Sequence, residues 1–128
     1  MGMGIIKLKR IYDSPDKEDG FRILVDRLWP RGLTKADSRI DLWMKEIAPS
    51  NQLRKWFHHD ETRWAEFKQK YFEELEPKKD LLGFIASKSE EGPVTLLFGA
   101  KSSKFNNGIA LKEYLETVYS KSSEMETT

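Results

Sequence analysis

Phe21-Arg22-Ile23-Leu24-Val25-Asp26-Arg27-Leu28-Trp29-Pro30-Arg31-Gly32 is an apolar run that ends in charge, a Trp-Pro corner and glycine. Phe21 to Val25 contains no turn former and four apolar residues, which predicts a strand buried on both faces, as parallel strands are. Trp29 precedes proline and is biased toward extended backbone, while Gly32 allows a turn that other residues would strain to make. Asp26, Arg27 and Arg31 are therefore expected at the carboxyl end of an interior strand. Open α/β sheets bind their ligands at that edge.

Working outward, Ile5 to Tyr12 alternates, with Ile6 and Leu8 on one face and Lys7 and Lys9 on the other, as in a half-buried strand. The loop Asp13 to Gly20 carries proline, aspartates and glycine and has no helical pattern. The first two strands are thus expected to pair antiparallel or to be joined by an extended connection. Beyond Gly32, the spacing of Ile40, Trp43, Met44 and Ile47 predicts a helix with Ser38 and Asp41 as a capping pair and Pro49 as its stop. Asn51 to Phe57 is a short amphipathic segment closed by His58-His59-Asp60. Asp60 suits the N-cap of a helix with Trp64, Phe67, Tyr71 and Leu75 on one face. Pro77 fits the first turn of another helix, bearing Leu81, Leu82 and Ile85 and ending at Gly92-Pro93. Val94 to Phe98 predicts a second buried strand, and the last helix carries Ala110, Leu111, Tyr114, Leu115 and Val118 inward. The expected fold is a single compact α/β domain over residues 1–119, with a small, partly parallel sheet flanked by helices, followed by a polar tail at 120–128.

With 22 basic and 21 acidic residues the formal net charge is +1, so an electropositive site has to come from local clustering. The same balance argues against nucleic acid as a partner. The chain has no cysteine, which excludes disulfides, a thiol nucleophile and thiolate metal sites. No apolar run approaches the roughly 20 residues that span a bilayer, and the start lacks a signal-like apolar region. A cytoplasmic protein with no membrane partner is expected.

Two loops leave the carboxyl ends of the most apolar strands, Asp26 to Gly32 and Gly99 to Asn107. Should those strands be parallel neighbours, Arg27, Arg31, Lys101 and Lys104 converge with Asn106 or Asn107, which opens the last helix. Guanidinium forks, ammonium groups and a helix N-terminus together suit a carboxylate or phosphate. Arg27, Trp29, Arg31, Lys101, Asn106 and Asn107 are the candidate ligand-binding residues, Trp29 as a pocket wall. The plain alternative for Arg27 is a structural pairing with Asp26, Asp41 or Glu46 that holds the first helix against the sheet. Of the two histidines, His59 is the candidate proton carrier, with Asp26 or Asp60 orienting it or acting in its place. Adjacent histidines point apart, which disfavours a metal site made from His58, His59 and Asp60. No Walker loop, dinucleotide fingerprint or Gly-x-Ser-x-Gly elbow occurs, so no cofactor is expected. The competing readings are a nucleic-acid-binding or regulatory module, suggested by Lys7, Lys9 and Arg10, and a protein-interaction or homo-oligomer surface at the Trp-Pro-Arg-Gly corner.

Several of these strings carry a family likeness: Val25-Asp26-Arg27-Leu28-Trp29-Pro30-Arg31-Gly32; Trp43 with Ala48-Pro49-Ser50; and Leu53-Arg54-Lys55-Trp56-Phe57. His59-Asp60 with Arg63-Trp64 and Phe67, and Thr95-Leu96-Leu97 with Asn106-Asn107, belong to the same pattern. Over about Ile6 to Tyr119 the chain resembles the YeaO-like branch of the domain-of-unknown-function 488 (DUF488) family. The resemblance implies a compact bacterial or archaeal α/β protein and no established reaction. It also implies a histidine before the Asn-Asn pair, where this chain has Phe105, so Asp26, Arg27, Arg31, His59 and Asp60 are left as the better candidates.

Overall fold

The computed structural model describes residues 2–120. Its sheet has four strands: β1 (Ile6–Arg10), β2 (Phe21–Leu24), β3 (Leu42–Trp43) and β4 (Val94–Phe98), in the order β1-β4-β2-β3. Every pairing is parallel, a stricter arrangement than partly parallel. β1 and β2 do not pair with each other, which corrects the antiparallel option. β4 lies between them, and the connection from β1 to β2 passes through one short 3₁₀ turn, Lys17–Asp19. The turn is closed by a capping box between Asp16 and Asp19, which gives this polar segment the local hydrogen bonds it needs without a helix. Gly20 ends it at φ 69°, where a Cβ would lie 2.1 Å from the Pro93 carbonyl oxygen. Only glycine lets the loop approach β4 this closely.

Alternation across β2 and β4 creates two apolar layers. Ile23, Val25, Val94 and Leu96 face the main core with α2 (Asn51–Phe57), α3 (Trp64–Leu75), α4 (Lys79–Glu91) and α5 (Asn107–Leu115). Phe67, Tyr71 and Leu75 form the buried stripe of α3, as their spacing predicts, and the Tyr71 hydroxyl donates to the Ile47 carbonyl at 2.7 Å. Pro77 stands in the turn before α4, which begins at Lys79. Val118, expected on the inner side of the last helix, is 39% exposed. Of the expected tail at 120–128, residues 121–128 lie outside the described residues. Among the described residues no helix is long and apolar enough to cross a membrane.

Loops cover much of the opposite face. Leu24 and Leu97 pack there with Ile11 and Ile40 and against Trp29, Leu33 and Trp43. The helix expected over residues 38–48 is absent. The structure has a four-residue α1 (Lys35–Ser38) capped by Thr34, then β3, then a 3₁₀ turn at Lys45–Ile47. Helical spacing misled because Ile40 and Trp43 serve one side of the sheet while Met44 and Ile47 serve the other. The open edge of β2 supplies the competing hydrogen bonds: Asp41 N–H donates to Arg22 O and Met44 N–H to Leu24 O, both at 2.9 Å.

Arg22 pins this cover to the sheet. Its guanidinium pairs with Asp19 and donates to the carbonyls of Ser38 (2.7 Å) and Arg39 (3.1 Å). Arg22 and Asp19 are both buried, and Lys9 also reaches Asp19 at 3.1 Å. Burial raises the Asp19 pKa, but the Asp16 N–H, Lys9 and Arg22 outweigh it and hold the carboxyl below its ordinary value. Removing the carboxylate would strand a buried guanidinium. Asp19→Asn is therefore expected to cost about 3–5 kcal/mol in chemical denaturation. The loss should shrink as pH falls below about 3.9, because a carboxyl with a depressed native pKa contributes only while it is ionised.

Candidate functional site

The condition that brings the two loops together is met: β2 and β4 are adjacent and parallel, with Leu24 opposite Leu97. Their carboxyl ends are closed by Asp26. Its Oδ2 accepts from Gly99 N–H at 2.8 Å, and its Oδ1 accepts from the Asn107 side-chain amide at 3.1 Å. Asn107 also donates to the Val25 carbonyl at 3.0 Å, so the start of α5 is tied to the end of β2. A Cβ at Gly99 would lie 3.1 Å from Asp26 Oδ2, closer than ordinary packing, and glycine allows this approach.

The loop after Asp26 is fixed by three further hydrogen bonds. The Trp43 indole donates to Asp26 O at 2.7 Å, the Trp29 indole to Leu33 O at 2.7 Å, and the Tyr12 hydroxyl to Arg31 O at 3.1 Å. Trp29 and Trp43 meet edge to face with centroids 5.4 Å apart.

Between these loops and the C-terminal end of α2 lies a cleft of about 530 Å³, within the range of small-molecule sites. Its lining includes four cationic side chains, Arg27, Arg31, Arg54 and Lys55, against one carboxylate, Asp26. Phe57, Phe67 and Phe105 supply an apolar wall, and Trp29 another. Phe105, at the position where the resemblance implies histidine, packs edge-on against Trp64 at 5.5 Å.

The expected ligand-binding residues divide. Arg31, Trp29, Asn106 and Asn107 all border the cleft. Arg27 borders it too, but its Nε and Nη2 donate to Pro49 O (3.0 Å) and Ala48 O (2.9 Å). Those bonds clamp the chain ahead of α2, a structural role, but through backbone carbonyls in place of the expected Asp26, Asp41 or Glu46, and the helix that the pairing was expected to hold is absent. Asn106 is buried as the N-cap of α5, accepting from Ile109 N–H at 2.8 Å and donating to Ser102 O at 2.9 Å. Lys101 and Lys104 are exposed and do not border the cleft.

Of the expected catalytic residues, Asp26 and His59 border the cleft and Asp60 does not. Asp60 caps the turn before α3 by accepting from the Thr62 hydroxyl (2.6 Å) and Thr62 N–H (3.0 Å). These bonds, together with Arg63, hold its carboxyl below the ordinary range. His58 and His59 are both exposed and occupy consecutive left-handed positions, at φ 44° and 57°. Such backbone is uncommon outside glycine and turns the chain sharply between α2 and the Asp60 cap.

Arg54, Lys55, His58 and Tyr12 also border the cleft, and none of them is among the candidate site residues expected from sequence. Arg54 and Lys55 fall in the last turn of α2, where cations are ordinarily read as complements to the helix dipole.

The chain matches the family described as "Inactive DUF488-N3 subclade" over residues 5–128. It belongs to that DUF488 family. The uncharacterized protein YeaO of Escherichia coli K12 is 42% identical over 113 residues, covering 88% of this chain and 98% of YeaO. The uncharacterized protein Rv3073c of Mycobacterium tuberculosis H37Rv is 42% identical over 92 residues, covering 70% of this chain and 78% of that protein. The Mycobacterium bovis protein Mb3100c matches to the same extent. No solved structure gives a significant match.

Burial pushes the Asp26 carboxyl above its ordinary pKa, against the hydrogen bonds from Gly99 and Asn107 and the charge of Arg54. The native state of this DUF488 protein thus holds the Asp26 proton more tightly than the unfolded chain does. Its contribution to stability is complete below the unfolded value of about 3.9 and is lost as pH rises toward the native one. Carbon-detected NMR titration should place the Asp26 carboxyl midpoint above that value. A midpoint at or below it would contradict the burial of this group.

Proposed function

We propose that this DUF488 protein binds a small phosphate- or carboxylate-bearing anion in the cleft at the carboxyl ends of β2 and β4, and does so without turning it over. The observation that carries this is the state of Arg31 and Arg54. Both side chains border the cleft, and among the described residues neither makes a hydrogen bond or ion pair within the chain. Arg54 is also half-buried. A half-buried guanidinium with unused planar donors is suited to an oxyanion, which it can meet through paired charge-assisted hydrogen bonds. Lys55 adds a point charge.

Binding without catalysis is supported by how two of the three proton-transfer candidates, Asp26 and Asp60, are engaged, while His59 borders the cleft but, among the described residues, is hydrogen-bonded to neither of them. Each Asp26 oxygen already accepts a hydrogen bond from the fold. Asp60 serves as a cap away from the cleft, and Phe105 offers no proton. The word "Inactive" in the family description agrees with this.

Thermal-shift titration with inorganic phosphate, pyrophosphate and citrate, each against sodium chloride of matched ionic strength, tests the reading. An anion at a hundred times its Kd adds about 2.7 kcal/mol of stability, which appears as a rise of several degrees in Tm. Arg54→Gln and Arg31→Gln should each weaken binding at least tenfold, the scale of one lost hydrogen bond to a charged group. A shift matched by sodium chloride and unaltered in both variants would overturn it.

A further inference from the structure

We infer, building on the anion-binding reading above, that the ligand is a flat nitrogen heterocycle joined to an anionic group, of the chemical class of a nucleoside monophosphate. The inference rests on how three kinds of surface divide the cleft.

Cations account for only part of the lining. Phe57, Phe67 and Phe105 belong to one linked ring cluster: Phe57 and Phe67 have centroids 4.5 Å apart, and Trp64 joins Phe67 and Phe105 at 5.5 Å each. Trp29 borders the cleft from the β2 loop and is braced by Trp43. Phe57 and Phe67 are buried in the core, so the rings that a bare inorganic anion or a short aliphatic acid would leave in contact with water are the partly buried Phe105 and Trp29. A planar ring gives them a partner, because aromatic faces stack on any heterocyclic base without reading its edge.

Asp26 adds a second constraint. Its carboxylate borders the same cleft, and the charge of Arg54 reaches it. An oxyanion filling the whole space would be repelled by Asp26, so the end of the ligand near it should donate a hydrogen bond. Two of the carboxylate's lone-pair sites are taken by Gly99 and Asn107, and a carboxylate can accept about four. An amino or ring N–H group, or a sugar hydroxyl, meets that need, while the anionic end reaches Arg31, Arg54 and Lys55. The cleft of about 530 Å³ is in the range that accepts a ligand with all three parts.

Isothermal titration of the full chain with the four common ribonucleoside 5′-monophosphates, ribose 5-phosphate, the parent nucleosides and inorganic phosphate separates the parts. At least one monophosphate should bind about tenfold or more tightly than ribose 5-phosphate, the lower range of a base–aromatic stack. Phe105→Leu should erase that margin and leave ribose 5-phosphate affinity unchanged. Arg54→Gln should weaken both ligands together. Should ribose 5-phosphate and inorganic phosphate bind as tightly as every monophosphate, the heterocycle is wrong and the anion site stands. Should none of these compounds bind while citrate does, the ligand class is again wrong. Should no anion bind, both fall. Loss of folding in Phe105→Leu, seen by circular dichroism, would shift the comparison to Trp29→Phe, which keeps a ring in place and should narrow the margin.

Discussion

The fold depends on one constraint, the parallel pairing of β2 with β4 and its closure beyond the last ladder bond by Asp26. Parallel neighbours deliver their carboxyl ends to the same rim, and the chain leaving each must turn away there. Asp26 joins the two departures by accepting from the backbone of Gly99 and from the side chain of Asn107, which itself holds Val25. Strand end, loop and helix start become one unit. The raised pKa of Asp26 is the electrostatic counterpart of that position, since a carboxyl placed to bridge two strands cannot also be well solvated.

Around this unit, several polar groups act on backbone rather than on each other. Arg22 spans from Asp19 to the carbonyls of Ser38 and Arg39, and Arg27 holds those of Ala48 and Pro49. Both arginines come from β2 or the residues just after it, and both attach the chain that follows. Helices commonly cover both faces of a parallel sheet. Here the second face is covered largely by irregular chain, and guanidinium-to-carbonyl bonds help to fix what a helix would fix by its own hydrogen bonds.

How much of this is legible in the sequence follows from where each residue's partner lies. Val94 to Phe98 and Phe21 to Leu24 are readable because burial on both faces needs only a continuous apolar string. The stripe of α3 is readable because its period is local. Residues 38–48 are not, because Ile40, Trp43, Met44 and Ile47 divide between opposite sides of the sheet, and a helical period cannot be told from that division without knowing that β2 has an open edge. The strand-end part of the rim is legible because a strand end can be read locally. Arg54 is not legible because its relation to Asp26 comes only from packing α2 beside the β2 loop, and a cation such as Lys101 in the right loop cannot be told by sequence from one that faces the cleft.

The second-face cover has a consequence for how the chain can diverge. A carbonyl oxygen is the same acceptor whatever side chain its residue carries. The segment held by Arg22 through Ser38 and Arg39 can therefore exchange its exposed residues, such as Lys35, Ala36 and Asp37, without losing attachment. Tolerance to change should then be distributed unevenly: Arg22 is fixed while the exposed chain it clasps drifts, so solvent-facing identity on that side can be retuned with the scaffold intact.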